Sequence, residues 1–425
     1  MSSAPQVVGI PRRSAAIVII GVLFFIFGFV TWLNGPLITY VKLAFGLNDV
    51  NAFLVPMAFY LSYFVLALPA SFILKLTGMK KGMAIGLLVM AVGAVLFEQY
   101  ATARVYPGAL TGLFVIGAGL ALLQTAANPY VSILGPIESA ARRIAIMGIC
   151  NKFAGFLAPI VIGTLILHGV DEMAARIQAA PTPAAHDALL NEMASRVQLP
   201  YLVMAVVLVA LAAWIAMSSL PEINASESNA ADDPGRRSVL RYPHLWLGVL
   251  CLFLYVGVEV MAGDAIGTYG QGFGLPLGAT RFFTSFTLFA MMLGYVVGWL
   301  LIPRFVSQER YLALSAVLGV LLTLAAFFTG GYVSVLCVAA LGFANAMMWP
   351  AIFPLAIRGL GRMTEFGSAF LIMGIAGGAI IPQLFAHLKQ HFDFQGVFAA
   401  LMIPCYLYIL YYAISGHRAG MGRAA

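Results

Sequence analysis

Few polar side chains lie deep within the long apolar runs of this 425-residue chain: Asn34, Gln124, Asn128, Asn151, Lys152, Glu259, Asp264 and Asn345, with Gln383 nearer the end of a run. An ionised group in hydrocarbon costs at least about 2.5–3.5 kcal/mol, so such groups normally face a cavity or a partner. Of sixteen acidic residues only Glu259 and Asp264 fall deep inside a run. Their chemistry is that of an acceptor for ligand hydroxyls and of a cation or proton site. The alternative is a buried charge pair or, for Asp264, an exposed position near the outer end of its helix. Five positions apart, they point to different faces of a regular helix, a geometry that Gly257, Gly263 and Gly267 can relax. Lys152 is the one deep basic residue. It can donate to a ligand hydroxyl, neutralise Glu259, or snorkel to the cytoplasmic surface.

The amides suit a neutral ligand. Gln124 and Asn128 are four apart, hence stacked on one helix face, and each offers both donors and acceptors. Polyol hydroxyls need both without a charge penalty, although polar residues also glue spans together. Asn345 and Trp349 repeat the four-residue spacing and set an amide beside an aromatic plate, which matches the hydroxyl and C–H faces of a sugar. Asn34 precedes Gly35-Pro36, a kink where unwound backbone can reach a ligand. Phe59, Tyr60 and Tyr63 sit at helical spacing and read either as packing, the commoner role of aromatic residues so spaced, or as ligand contacts. His168 and His387 fall in no metal-ligand spacing, and no G-K-[ST] loop or nucleophile–base constellation is present. The expectation is therefore a binding protein without metal or cofactor, and not an enzyme.

These residues need elements that lipid can hold. The chain is 62% hydrophobic and 9% charged, against roughly a quarter charged in soluble proteins. Apolar segments of about 20 residues cross a bilayer, and twelve are expected at 14–44, 51–77, 82–101, 108–134, 144–168, 200–219, 245–269, 280–303, 311–329, 332–357, 367–388 and 395–415. Arg12 and Arg13 before the first run imitate a signal peptide, but the run is too long for one. Lys and Arg gather in alternate loops, from Lys75, Lys80 and Lys81 through Arg142, Arg143, Arg236 and Arg237 to Arg418. The opposite loops hold only Lys42, Arg104, Arg176, Arg196, Arg281 and Lys389. The richer set is cytoplasmic, which places both termini inside. The net charge of +7 thus reports membrane orientation, not nucleic-acid binding. Cys150, Cys251, Cys337 and Cys405 show no paired spacing, so no disulfide framework follows.

Two polar segments interrupt the pattern: an external loop at 169–199, with room for a short amphipathic helix, and a cytoplasmic linker at 220–244. The second lies between six spans and six. Ile146-Met147-Gly148-Ile149 recurs as Ile372-Met373-Gly374-Ile375, each followed by a proline, Pro159 or Pro382. Duplication explains the echo. The expected architecture is all-α, with two pseudo-symmetric six-helix bundles, 1–219 and 245–425, facing each other across a midplane cavity.

Several stretches resemble the fucose–galactose–glucose symporter family of the major facilitator superfamily. Gly117-Ala118-Gly119-Leu120, Gln124-Thr125-Ala126-Ala127-Asn128-Pro129-Tyr130-Val131 and Leu134-Gly135-Pro136 are similar to its fourth span. Met147-Gly148-Ile149-Cys150-Asn151-Lys152-Phe153-Ala154-Gly155, Tyr255-Val256-Gly257-Val258-Glu259, Asn345 and Trp349-Pro350, Gly367-Ser368 and Ile372-Met373 look like the glucose/galactose transporter branch. The resemblance implies uptake of a neutral hexose, glucose or galactose, by alternating access in the bacterial inner membrane, with the monomer as the working unit. Asn34, Gln124, Asn128, Asn151, Glu259, Asn345 and Trp349 would bind the sugar. Glu259 and Asp264 would sense a cation, with Lys152 as charge partner.

Two departures bear on coupling. Fucose-type members of the family carry an Asp in span one and a Glu in span four; the matching positions here are Gly35 and Gln124, and neither titrates. The loop Gly78-Met79-Lys80-Lys81-Gly82 is a reduced form of the superfamily's basic loop motif and lacks its Asp. Sodium-dependent carriers in the branch set Na+ ahead of H+ as the co-transported ion. An uncoupled hexose uniporter and a sugar sensor on the transporter fold are the alternatives. A drug exporter fits poorly with a cavity rich in amides and poor in acids.

Overall fold

The computed structural model describes residues 10–133, 140–218, 220, 239–302, 304–360 and 363–421. Most of the expected linker at 220–244 lies outside the described residues, as do Leu134-Gly135-Pro136, Arg236 and Arg237. Regular structure among the described residues is helical throughout. Twelve helical segments are long and apolar enough to cross a membrane. Spans one to six are Ala16–Ala44, Asp49–Thr77, Met79–Thr102, Tyr106–Asn128, Ile144–Ile166 and Pro183–Met217. Spans seven to twelve are Pro243–Gly263, Leu277–Leu301, Gln308–Phe328, Gly331–Ile357, Phe366–Leu388 and Phe394–Ile414. All twelve expected spans are present.

The external segment differs from expectation. It forms two helices, Val170–Gln178 and Pro183–Ser195, and the second leads directly into the apolar helix of span six, Gln198–Met217. Thr182 caps its start, accepting from the Ala185 amide at 3.2 Å, with Pro183 at the first helical position. Proline is favoured there because its missing N–H is one the helix start leaves unpaired anyway.

Four spans break or tighten near the middle of the fold. Span one stops at Thr31 and restarts at Asn34, where Pro36 removes a ladder donor. Span seven ends at Gly263 and resumes at Ile266. The carbonyls freed there are taken from span eight: Thr287 donates to Ala262 at 2.7 Å and Thr284 to Gly263 at 2.8 Å. Span ten breaks between Asn345 and Met348, and span eleven tightens to a 3-10 turn at Gly374–Ala376. Membrane helices tolerate such breaks only where neighbours re-satisfy the backbone, which the two threonines do here.

The halves echo one another in space. In the first, an ideal Cβ on Gly28 of span one would stand 1.9 Å from the Asn151 carbonyl of span five. In the second, a Cβ on Gly377 of span eleven would stand 1.7 Å from the Phe253 carbonyl of span seven. Asn151 and Gly377 occupy the same register relative to the repeated Ile-Met-Gly-Ile motif. Equivalent helices thus meet backbone to backbone at equivalent points, with the glycine on opposite partners. Small residues allow such approach where lipid supplies no hydrophobic drive between helices.

The outer ends of the halves are tied together. Asp49, at the start of span two, pairs with Lys42 at 2.5 Å and with Lys389 at the end of span eleven. Lys42 also donates to Gln271 at 3.2 Å, and Gln383 to the Val50 carbonyl at 3.1 Å. Burial lowers the Lys389 pKa, and Asp49 opposes that shift. On the other edge of the seam, Asp171 accepts from the Gly278 amide at 3.0 Å, and Arg281 donates to the Gly163 and Leu167 carbonyls. The conformation is closed on the outer side.

Candidate functional site

A cavity of about 130 Å³ lies between the halves at mid-depth. Its amino-terminal wall carries Gln124 and Asn128 from span four and Asn151 and Lys152 from span five; its carboxy-terminal wall carries Glu259 and Trp349. Asn128, Ile144, Trp349 and Pro350, toward the cytoplasmic ends, keep partial exposure. The space therefore faces inward beneath the outer ties.

The two deep charges bridge the halves. Lys152 Nζ lies 2.9 Å from Glu259 Oε1, with side chains 9% and 11% exposed. The lysine does not snorkel, because a carboxylate waits within reach. Tyr255 lines the cavity alongside Glu259, and the Lys152 ammonium stands 4.8 Å from the centroid of the Trp32 ring. The wall is polar yet carries no net charge from this pair.

The amides are held by their neighbours. Gln124 Nε2 donates to the Tyr63 hydroxyl at 3.1 Å. Asn151 Nδ2 donates to the Phe24 carbonyl at 3.2 Å, which fixes its nitrogen toward span one. Trp349 stacks on Phe353 of its own helix, with centroids 5.8 Å apart and planes at 22°.

Of the residues expected at the site, Gln124, Asn128, Asn151, Lys152, Glu259 and Trp349 come together. Asn34 and Asn345 do not. Asn34 is 1% exposed and donates to the Thr31 carbonyl at 3.1 Å, closing the break in span one. It borders a separate void of about 10 Å³ inside the first bundle, alongside Phe59 and Tyr201. Asn345 is fully buried and accepts from the Tyr406 hydroxyl at 2.8 Å, between spans ten and twelve. The expected shared face with Trp349 fails because span ten breaks between them, and a four-residue spacing aligns side chains only along an unbroken helix.

Asp264 is 1% exposed at the break in span seven, so the exposed outer position does not hold. Tyr60 of span two donates to its Oδ2 at 3.2 Å, and the Gly35 amide of span one also interacts with it. No donor meets full hydrogen-bond geometry at Oδ1. An ideal Cβ on Gly35 would stand 3.5 Å from Asp264 Cα. This carboxylate thus sits on the seam, held by the opposite half.

Tyr60 and Tyr63, for which the sequence leaves packing and ligand contact both open, line the cavity, as do Trp32, Tyr255 and Tyr295. Helical spacing places aromatic residues on a face without saying what that face meets. Trp32 had a usable signal in its place beside the Asn34-Gly35-Pro36 break.

Twelve spans in two pseudo-symmetric halves, around a polar cavity closed on one side, define a secondary transporter that works by alternating access. The chain belongs to the Major Facilitator Superfamily, whose family model matches residues 20–382, and within it to the fucose–galactose–glucose symporter family. It is 34% identical over 401 residues to a glucose/galactose transporter of Brucella abortus, covering 93% of this chain and 92% of that protein. It is 30% identical over 374 residues to the L-fucose-proton symporter of Escherichia coli K12, covering 87% and 85%. The crystal structure of the transporter FucP in the outward conformation superposes with a TM-score of 0.76 at 28% identity, covering 95% of this chain and 98% of that one. These relatives are transporters and not enzymes, and the twelve-span chain is of their inner-membrane type.

Proposed function

We propose that the chain imports a neutral hexose of the glucose or galactose type, coupled to a cation. The observation that carries this reading is the charge-balanced cavity wall: three amides, Gln124, Asn128 and Asn151, beside a self-compensating Lys152–Glu259 pair. A charged solute would find no uncompensated counter-charge there, and would leave its own charge desolvated. A polyol finds acceptors and donors within one space. Glu259 and the three amides bind hydroxyls, and Trp349 offers an apolar surface. The name of the Brucella relative supports the same substrate class.

The cation is a proton, carried by Asp264. Sequence resemblance set Na+ first, but the groups at this carboxylate argue for H+. The Tyr60 hydroxyl donates to it at 3.2 Å and the Gly35 backbone lies against it, whereas a hard cation needs a shell of several oxygen ligands. The nearby Ala262 and Gly263 carbonyls are already engaged by threonines. Asp264 also lies against Gly35, the position where fucose-type relatives carry an acid, so span seven supplies what span one lacks. The L-fucose relative is itself named a proton symporter. Calorimetric titration of the purified protein tests the sugar reading. Glucose or galactose should bind, while gluconate and glucosamine should not; the reverse preference would overturn it.

A further inference from the structure

Trp32 lies at the break of span one, 2% exposed. It is the outermost cavity-lining residue of its span; on span seven the corresponding limit is Val260, one turn short of the break at Asp264. Its indole occupies a slot between two glycines. A Cβ on Gly155 of span five would stand 2.5 Å from the ring, and one on Gly263 of span seven 2.2 Å from its far edge. No side chain heavier than hydrogen fits at those distances without moving the ring. Gly155 belongs to the same half as Trp32, and Gly263 to the other. The slot is therefore complete only while the halves meet on the outside. Lys152 stands over the same ring at 4.8 Å and reaches Glu259 at 2.9 Å, and an ammonium over an indole face is attracted by the ring quadrupole.

We infer that Trp32 is a positioning residue coupling outer closure to the binding site: seated between Gly155 and Gly263 it seals the outer end of the cavity and holds Lys152 beside Glu259. When the halves part on the outside, Gly263 leaves the ring, the seal opens and Lys152 loses its support against Glu259. The sealing role stands whichever solute the cavity takes; the Lys152 role rests on the proposed sugar site.

The test places Ala52→Cys, at the buried outer end of span two, in a protein whose four native cysteines are replaced. Its labelling from outside by an impermeant maleimide is then followed. Gly263→Ala should accelerate labelling at least tenfold, because its methyl group meets the ring. Adding Trp32→Phe, which lacks the far edge of the indole, should restore the slow rate. Unchanged labelling in Gly263→Ala, or no rescue by Trp32→Phe, would overturn the seal. If Gly263→Ala does not fold, Trp32→Leu alone should also accelerate labelling, and a wild-type rate would overturn it. For the positioning role, Trp32→Leu should weaken glucose binding at least tenfold while Trp32→Phe keeps it within threefold. Equal effects of the two would contradict positioning, whereas absence of glucose binding in the parent would remove the sugar reading and leave the labelling result intact.

Discussion

Replacing Glu259 by Gln keeps the shape of the side chain and removes one half of a buried pair. Lys152 Nζ, 2.9 Å away and with its side chain 9% exposed, then keeps a charge with no partner. Breaking a buried pair from one side costs about 3–5 kcal/mol. The cavity admits some water, so the lower figure applies, and about 3 kcal/mol corresponds to roughly a hundredfold in an equilibrium. Lys152→Met should cost a similar amount by stranding the carboxylate. The double variant strands neither charge and should lose less than about 1 kcal/mol, because neutral replacements of buried pairs are often tolerated. Thermal unfolding of the detergent-purified proteins, read as midpoint shifts, checks the cycle: both single variants fall and the double recovers. Uptake gives an independent readout, since Glu259→Gln should insert normally and fail to accumulate glucose. Additive losses in the double variant, or wild-type accumulation by Glu259→Gln, would refute the assignment of this pair to the site.

Three further outcomes follow from the same geometry. Asp264→Asn should retain glucose exchange across the membrane but lose pH-driven accumulation, measured by counterflow and gradient-driven uptake in the same vesicles. Asp49→Asn removes the carboxylate shared by Lys42 and Lys389 and should shift the population toward the outward-open form by about tenfold, the scale of a 1.4 kcal/mol change; double electron–electron resonance between labels on the outer ends of spans two and eleven reads the distance. Gln124→Ala removes one hydrogen-bonding group and should raise the glucose KM by up to about tenfold, as a typical hydrogen bond contributes about 0.5–1.5 kcal/mol, with Vmax little changed.

Much of this was legible before any coordinates. The twelve spans follow from apolar length alone, and loop charge placed Lys42, Arg281 and Lys389 on the outer side, where they tie the halves together. Gln124 and Asn128 share a face because span four runs unbroken past them. Where a helix breaks, spacing misleads: Asn345 and Trp349 have the same spacing but not the same face. Asn34 was correctly linked to a kink, yet its amide closes the kink instead of reaching the cavity. Pairings between distant segments left no trace in a single sequence. Asp49 and Lys389 are 340 residues apart, and nothing local in either segment names the other. Asp264 showed the same limit, since only the fold reveals that it rests on Gly35 and Tyr60 from the opposite half.

The central claim, proton-coupled hexose import, is tested most directly by accumulation of radiolabelled glucose in proteoliposomes under an imposed pH gradient, acid outside, or an imposed Na+ gradient. The account predicts accumulation above equilibrium under the pH gradient alone, abolished by Asp264→Asn. Accumulation driven by Na+ alone, or simple equilibration under both gradients, would contradict it.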